Sequence, residues 1–321
     1  MATSPATLPQ PSGESLLKRL SAGDPVAHSL TGLAASFILA ITALLLYHLW
    51  TGSELPRNAF GWGFITGTSW DPVAEKFGAL PFVYGTVMTS LLALLIAVPV
   101  GLGSAIFLAE LAPRGASDAL TFMIELLAAV PSVIYGLLGI FLLVPVLQST
   151  IVPALVATFG FLPIFKGQFY GVSVFSAAII LAIMVVPFIV SVSREVLLAV
   201  PQDQREAALA LGATRWETTW KVVVPYALSG IFGSVFLALA RALGETMAVT
   251  MVIGNKPEVA SSLLAPGYSI AAVIANEFAE TSSGTMHQQV LIELGLVLFA
   301  LTVLLNGVAR LLILSMQGGR K

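Results

Sequence analysis

Six stretches of this chain are long and apolar enough to cross a lipid bilayer, and no other feature limits its fold so tightly. Spanning hydrocarbon takes about 20 apolar residues in a helix. Such runs extend from Leu30 to Trp50, Pro81 to Leu108, Ala119 to Leu147, Val172 to Val192, Tyr226 to Ile253 and Val290 to Leu314. Lipid offers no partner to backbone N–H and C=O groups, so a spanning structure must close its hydrogen bonds internally. A β-barrel would need short alternating strands, and these runs are too long and too uniformly apolar. The chain therefore reads as all-α and integral to the membrane, with six transmembrane helices. Pro131 and Pro187 fall inside the third and fourth runs.

Composition agrees. Hydrophobic types make up 57% of the 321 residues and charged types 10%, against about a quarter charged in an ordinary soluble domain. A net charge of −2 offers no basic surface for nucleic acid. Cysteine is absent, which excludes disulfides, thiolate catalysis and Cys-ligated metals in this sequence. His28, His48 and His287 are scattered, so no metal site is expected. The first thirty residues are polar, rich in Ser and Pro, and carry Lys18 and Arg19. A signal peptide would place its apolar stretch sooner and end at small residues. Residues 1–29 are read as a disordered cytoplasmic tail, and 30–321 as one transmembrane domain.

Basic residues orient the spans. With the N-terminus inside, the inner segments hold Lys18, Arg19, Arg114, Arg194, Arg205, Arg215, Lys221, Arg310, Arg320 and Lys321. The outer segments hold Arg57, Lys76, Lys166 and Lys256. Ten against four places both termini in the cytoplasm. The outer loops carry Trp62, Trp70, Asp71 and several prolines, and Ser269 to Glu280 has helical spacing. They serve either to dock an external partner or to pack at headgroup level.

The inner loop between the fourth and fifth spans, residues 194–225, is the most informative. Pro201, Gln202 and Asp203 start a helix. Glu206 to Leu211 are strong helix formers, Gly212 ends that helix, and a second begins at Arg215. The expected product is a compact knob on the inner face. This loop resembles the EAA motif of ABC importer permeases: Glu206-Ala207-Ala208, three residues, Gly212, nine residues, then Val222-Val223-Val224-Pro225. Val222 and Val224 stand where the motif has Ile and Leu. In that family the helix docks on an ATPase subunit and carries its closure to the membrane. No Gly-x4-Gly-Lys-[Ser/Thr] phosphate loop occurs in the sequence. The chain is thus not expected to be an enzyme, ATP is expected to be bound by a partner ATPase, and no cofactor is expected here.

Four ionisable residues fall inside spans: Glu125, Arg241, Glu245 and Glu293. Burying such a group at mid-helix costs about 2.5–3.5 kcal/mol on insertion scales. Arg241 lies sixteen residues past Pro225, about 24 Å along a helix. On a continuous helix Arg241 and Glu245 share one face, so Glu245 is the expected ion-pair partner of an empty site. A guanidinium fork fits an oxyanion, and a carboxylate can take a proton from phosphate that sulfate lacks. The other reading is a salt bridge that only orients the fifth helix. Glu125 and Glu293 are weaker candidates, as buried acids or interhelical hydrogen-bond groups.

The segment from Arg241 to Val249 resembles the R-A-x-G-E-T motif of phosphate-specific ABC transporter permeases. Val130-Pro-Ser-Val-Ile-Tyr-Gly136 and the stretch Ala265 to Ala279 resemble the same family. The order of motifs and the first outer loop look most like its C-type subunits. The resemblance implies a type I importer permease of MetI-like fold, multi-pass in the bacterial cytoplasmic (inner) membrane. It implies partners: a second, A-type permease subunit, two ATPase subunits and an external, periplasmic phosphate-binding protein. Carried over residue by residue, Arg241 and Glu245 match residues needed for phosphate passage, and Pro131 and Ser132 match a break in the third span. Ser132, Tyr135 and Thr246 are candidates for hydroxyl contacts, with ordinary helix–helix hydrogen bonding as the alternative. Glu206, Ala207, Ala208, Gly212 and Pro225 match the coupling motif. Gly136 and Gly139 read as close-packing sites. The alternatives kept open are another cargo (sulfate, molybdate or an amino acid) and the A-type subunit.

Overall fold

The computed structural model describes residues 24–318. Most of the proposed tail, 1–23, lies outside the described residues. The contacts divide the chain into 1–52 and 53–321. The described residues of the first unit form one helix, α1 (Asp24–Gly52), which begins ahead of the Leu30 start read from hydropathy.

Besides short helical turns at Gly63–Thr66, Pro163–Phe165 and Phe278–Glu280, the second unit holds the longer helices. These are α2 (Glu54–Phe60), α3 (Leu80–Ile106), α4 (Arg114–Ala128), α5 (Ser132–Phe159), α6 (Val174–Leu198), α7 (Gln202–Ala210), α8 (Arg215–Leu243), α9 (Met247–Ile253), α10 (Ile270–Glu277) and α11 (Met286–Gly318). Among the described residues six helices are long and apolar enough to cross a membrane: α1, α3, α5, α6, α8 and α11.

Proline shapes several of them. Wider π-helical turns occupy Phe107–Leu111, Gly139–Leu143, Leu147–Ile151 and Thr219–Val223. Each ends two residues before a proline: Pro113, Pro145, Pro153 and Pro225. Proline has no N–H and its ring collides with the carbonyl four residues back. That carbonyl lies inside the π turn in every case, where the extra residue per turn moves it aside.

The centre is α6, with 72% of its most apolar window buried. It runs antiparallel to α3: Leu92 and Val174 share one cluster, Ile106 and Leu197 another at the opposite end. Ala177, Leu181, Val185 and Ile189 fill the middle of the core. The hydroxyls of Ser193 on α6 and Ser234 on α8 lie 2.8 Å apart, a buried interhelical bond.

Two predicted spans need correction. The third was read as Ala119–Leu147 with Pro131 inside it. It is two helices, α4 and α5, broken at Ala129–Pro131. Arg194, near the end of α6, donates to Ser117 on α4. Leu147 on α5 packs with Val174 and Phe175 at the α6 start. The crossing is therefore shared: α4 covers the first half and the front of α5 the second. The rest of α5 extends to Phe159, through part of what was read as an outer loop. The fifth span was read as continuous from Tyr226 to Ile253. It is α8, a break over Gly244–Thr246, and α9.

The outer loops knit together. A hairpin pairs Trp70 with Phe77 and Asp71 with Lys76. Trp70 Nε1 donates to Glu277 Oε2 at 3.1 Å, and His287 Nε2 lies 2.9 Å from the same oxygen. Trp70, Phe77, Phe82 and Tyr268 pack edge-on or tilted around that point. Burial pushes the Tyr268 hydroxyl up to about 12, so it stays protonated. Asp71 caps its own turn by accepting from Val73 and Ala74 N–H. Trp62 and Val73 remain 87% and 95% exposed.

Candidate functional site

The two helix breaks stand side by side. α5 and α9 pack in parallel: a Cβ on Gly136 would lie 2.5 Å from Met251 Sδ and 3.3 Å from Ala248 Cα. One turn on, a Cβ on Gly139 would lie 2.7 Å from Val252 Cγ1. Only hydrogen at these positions lets the two backbones approach so closely. The packing sets the starts of α5 and α9 next to each other, about halfway across the bundle.

Pro131 explains the first break. It supplies no donor to the carbonyl of Leu127, four residues earlier. The Tyr135 hydroxyl donates to that carbonyl at 2.7 Å, across the break, and Tyr135 is 5% exposed. Ile134 N–H closes the new first turn on Pro131 O at 3.0 Å. Tyr135 thus holds the break in shape. Ser132 is half-buried, and its hydroxyl makes no hydrogen bond among the described residues.

At the second break the helix stops at Leu243 with Arg241 in its last turn. This breaks the periodicity that would have put Arg241 and Glu245 on one face. Among the described residues no ion pair joins them. Glu245 is half-buried, and its Oε1 accepts from Ala248 N–H at 3.4 Å. A carboxylate at the start of α9 is favoured by the helix dipole. Thr246 Oγ1 donates to Gly244 O at 3.3 Å. The Arg241 side chain is exposed, in the last helical turn before the Gly244–Thr246 break. A guanidinium therefore stands beside both breaks, on a face that this chain leaves open. Glu125 is exposed on α4. Glu293 is 6% exposed on α11, and its Oε2 has no hydrogen-bond partner among the described residues. Neither is among the residues gathered at the breaks.

The knob forms as the sequence predicts. α7 follows Pro201, and Gly212 turns the chain at φ +87°. Thr214 and Glu217 then make a reciprocal capping box that starts α8. Glu206 and Ala207 are exposed, Ala208 is half-buried, and Leu211 is 90% exposed. Pro225 sits at the first turn after the π turn, where α8 enters the core.

Sequence reasoning missed what holds the knob. Arg205 Nη2 lies 2.9 Å from Glu110 Oε1, with side-chain exposures of 15% and 11%. The same guanidinium donates to Leu197 O at 2.8 Å, in the last turn of α6, and to Val200 O just past its end. One side chain thus ties α7 to the ends of α3 and α6. The available signal was Glu110, an acid closing an otherwise apolar run.

Residues 97–317 match the family described as the binding-protein-dependent transport system inner membrane component. The phosphate transport system permease protein PstC of Mesorhizobium japonicum is 45% identical over 95% of this chain and 94% of its own. The chain belongs to this family, among its PstC permeases. The PstC of Pasteurella multocida is also 45% identical, over 89% of this chain and 91% of its own. The probable PstC of Methanocaldococcus jannaschii is 36% identical, over 85% and 89%. Among solved structures, the inward-facing MetNI methionine ABC transporter superposes at TM-score 0.54 and 15% identity, covering 73% of this chain and 94% of that one. A bacterial alginate ABC transporter superposes at 0.53 and 15%, covering 92% and 96%. The fold is that of the MetI-like importer permeases, and the protein is a multi-pass membrane protein.

Proposed function

We propose that this permease passes inorganic phosphate across the cytoplasmic membrane as one half of an ATP-driven importer, with both termini in the cytoplasm. The observation that carries the reading is Arg241: a permanent cation, exposed at mid-depth, beside the two helix breaks. An unpaired guanidinium there calls for an anion, and its planar fork suits an oxyanion. Relatives from bacteria and an archaeon, matched over most of the chain, are named for phosphate. Discontinuous helices with small-residue packing are a recurrent way to build a substrate site at the bilayer midplane.

In this reading Arg241 binds the anion, and the hydroxyls of Ser132 and Thr246 lie along its route. Glu245 takes a proton from phosphate, which discriminates against sulfate and molybdate. Tyr135 contributes by holding the Pro131 break. The open face beside Arg241 meets a second, A-type permease subunit, so the pathway runs between two chains. One of two ATPase subunits docks on the knob through Glu206, Ala207, Ala208 and the Gly212 turn, the other docks on the second permease subunit, and Pro225 passes the motion to α8. Their closure on ATP switches the pathway outward to a phosphate-bearing external protein, and hydrolysis returns it inward. ATP and any cofactor it needs stay on the partner chains.

Uptake by the reconstituted complex tests this. With Arg241→Ala the complex assembles and labelled phosphate uptake falls at least a hundredfold. Near-normal uptake by that variant reduces Arg241 to a structural role. Accumulation of sulfate in place of phosphate by the unmodified complex overturns the cargo.

A further inference from the structure

Behind the knob lies an open cavity of about 480 Å³, between α7 and the start of α8 on one side and the ends of α3 and α6 on the other. Its polar lining is Glu110, Arg114, Gln202, Arg205, Arg215 and Thr218 among others, with no aromatic ring. Arg205 is spent on Glu110 and on the α6 carbonyls, so that pair is neutral. Arg114 and Arg215 form no ion pair among the described residues. Two positive charges are left over, and they come from elements on opposite sides of the cavity. Thr218 is 5% exposed, and its Oγ1 is buried without a hydrogen-bond partner among the described residues. Such a hydroxyl normally finds a partner. Two guanidiniums, a side-chain amide and an unsatisfied hydroxyl around one space form a set of donors with no matching acceptor.

We infer that this cavity binds a phosphate group, held by Arg114 and Arg215 with Thr218 and Gln202 as hydrogen-bond donors. Inorganic phosphate carries about −1.5 to −2 at neutral pH, which matches the surplus charge, a phosphodiester headgroup carries about −1 and offsets part of it, and guanidinium binds either through paired N–H groups. The absence of an aromatic wall excludes a nucleotide base from the same space. The group comes either from free inorganic phosphate or from the headgroup of an anionic lipid, because the cavity opens at the ends of two membrane spans. Either occupant bridges Arg114 at the start of α4 to Arg215 at the start of α8. It therefore fixes the knob against the body at a point separate from Arg241.

The test uses the assembled transporter without its external protein, in phosphatidylcholine nanodiscs and on an Arg241→Ala background, which removes the proposed pathway site. Labelled inorganic phosphate is titrated by equilibrium dialysis, and phosphatidylglycerol retention is read by native mass spectrometry. Arg114→Gln with Arg215→Gln weakens whichever ligand binds at least tenfold. Arg114→Lys with Arg215→Lys keeps the charge but loses the paired N–H groups; it serves if the first pair fails to assemble, and it weakens binding at least threefold. Phosphate binding sensitive to the Gln pair assigns the site to the free ion. Phosphatidylglycerol retention sensitive to the same pair assigns it to the headgroup. If neither ligand responds to either pair in an assembled complex, the inference is wrong. Loss of the Arg241 pathway alone leaves these readouts unchanged.

Discussion

Replacing Arg205 with methionine keeps the volume of the side chain and removes its charge and donors. Three partners lose their bond: Glu110 at 2.9 Å, Leu197 O at 2.8 Å, and Val200 O. Breaking a buried pair from one side costs about 3–5 kcal/mol, mostly by stranding the other charge. The side chains are 15% and 11% exposed, so some water reaches them and about 3 kcal/mol is the better figure. The loss is local, because Arg205 ties α7 to α3 and α6 while the helix core lies elsewhere. Amide exchange in α7 should therefore speed up by roughly 150-fold, with α6 core amides unchanged. Adding Glu110→Gln to Arg205→Met removes the stranded charge and should recover at least half of the protection. Hydrogen exchange with mass spectrometry on the purified transporter reads both. If Arg205→Met leaves α7 exchange within twofold, or if the second substitution makes it worse, the clamp is not what holds the knob.

Tyr135→Phe should cost about 1 kcal/mol of stability and leave phosphate uptake within threefold, since its hydroxyl is already bonded to Leu127 O; abolished uptake at unchanged melting temperature would move that hydroxyl into the pathway. Gly85→Ala would place a Cβ 2.1 Å from the backbone oxygen of Tyr268. It should destabilise the outer half of the protein by about 1–3 kcal/mol, seen as a lower melting temperature. Gly212→Val strains a φ of +87° by about 1–2 kcal/mol and should reduce co-purification of the ATPase subunits. Full co-purification with transport-coupled hydrolysis would remove the loop from the coupling role.

The spans were legible because hydrophobicity and length are properties of the chain itself, and the knob because Pro201, Gln202, Asp203 and Gly212 are local signals. The breaks were only half legible. Pro131 announces itself, but Arg-Ala-Leu-Gly-Glu-Thr-Met is flanked by strong helix formers. Its interruption accompanies the seating of Ala248 and Met251 on Gly136, more than a hundred residues away. Arg241 was found by its burial cost. Its relation to Glu245 was misjudged because a periodicity argument holds only while the helix continues. The Arg205–Glu110 clamp joins residues 95 apart, and no window of sequence contains both.

The burial of α6 bears on how the chain is made. A helix leaving the translocon is sorted by its contact with lipid, and only an apolar one passes sideways into the bilayer. Yet α6 ends with most of its surface against other helices rather than lipid. Its oiliness serves the moment of insertion, and its pattern of alanines and serines serves the later moment when its neighbours close around it. During synthesis α3, α4 and α5 emerge before α6 and α8 after it, so the face that α8 covers stays uncovered until the fifth span arrives. A photoreactive lipid should label the α6 face around Ser193 in arrested nascent chains and miss that face in the finished protein, where Ser193 is buried against Ser234.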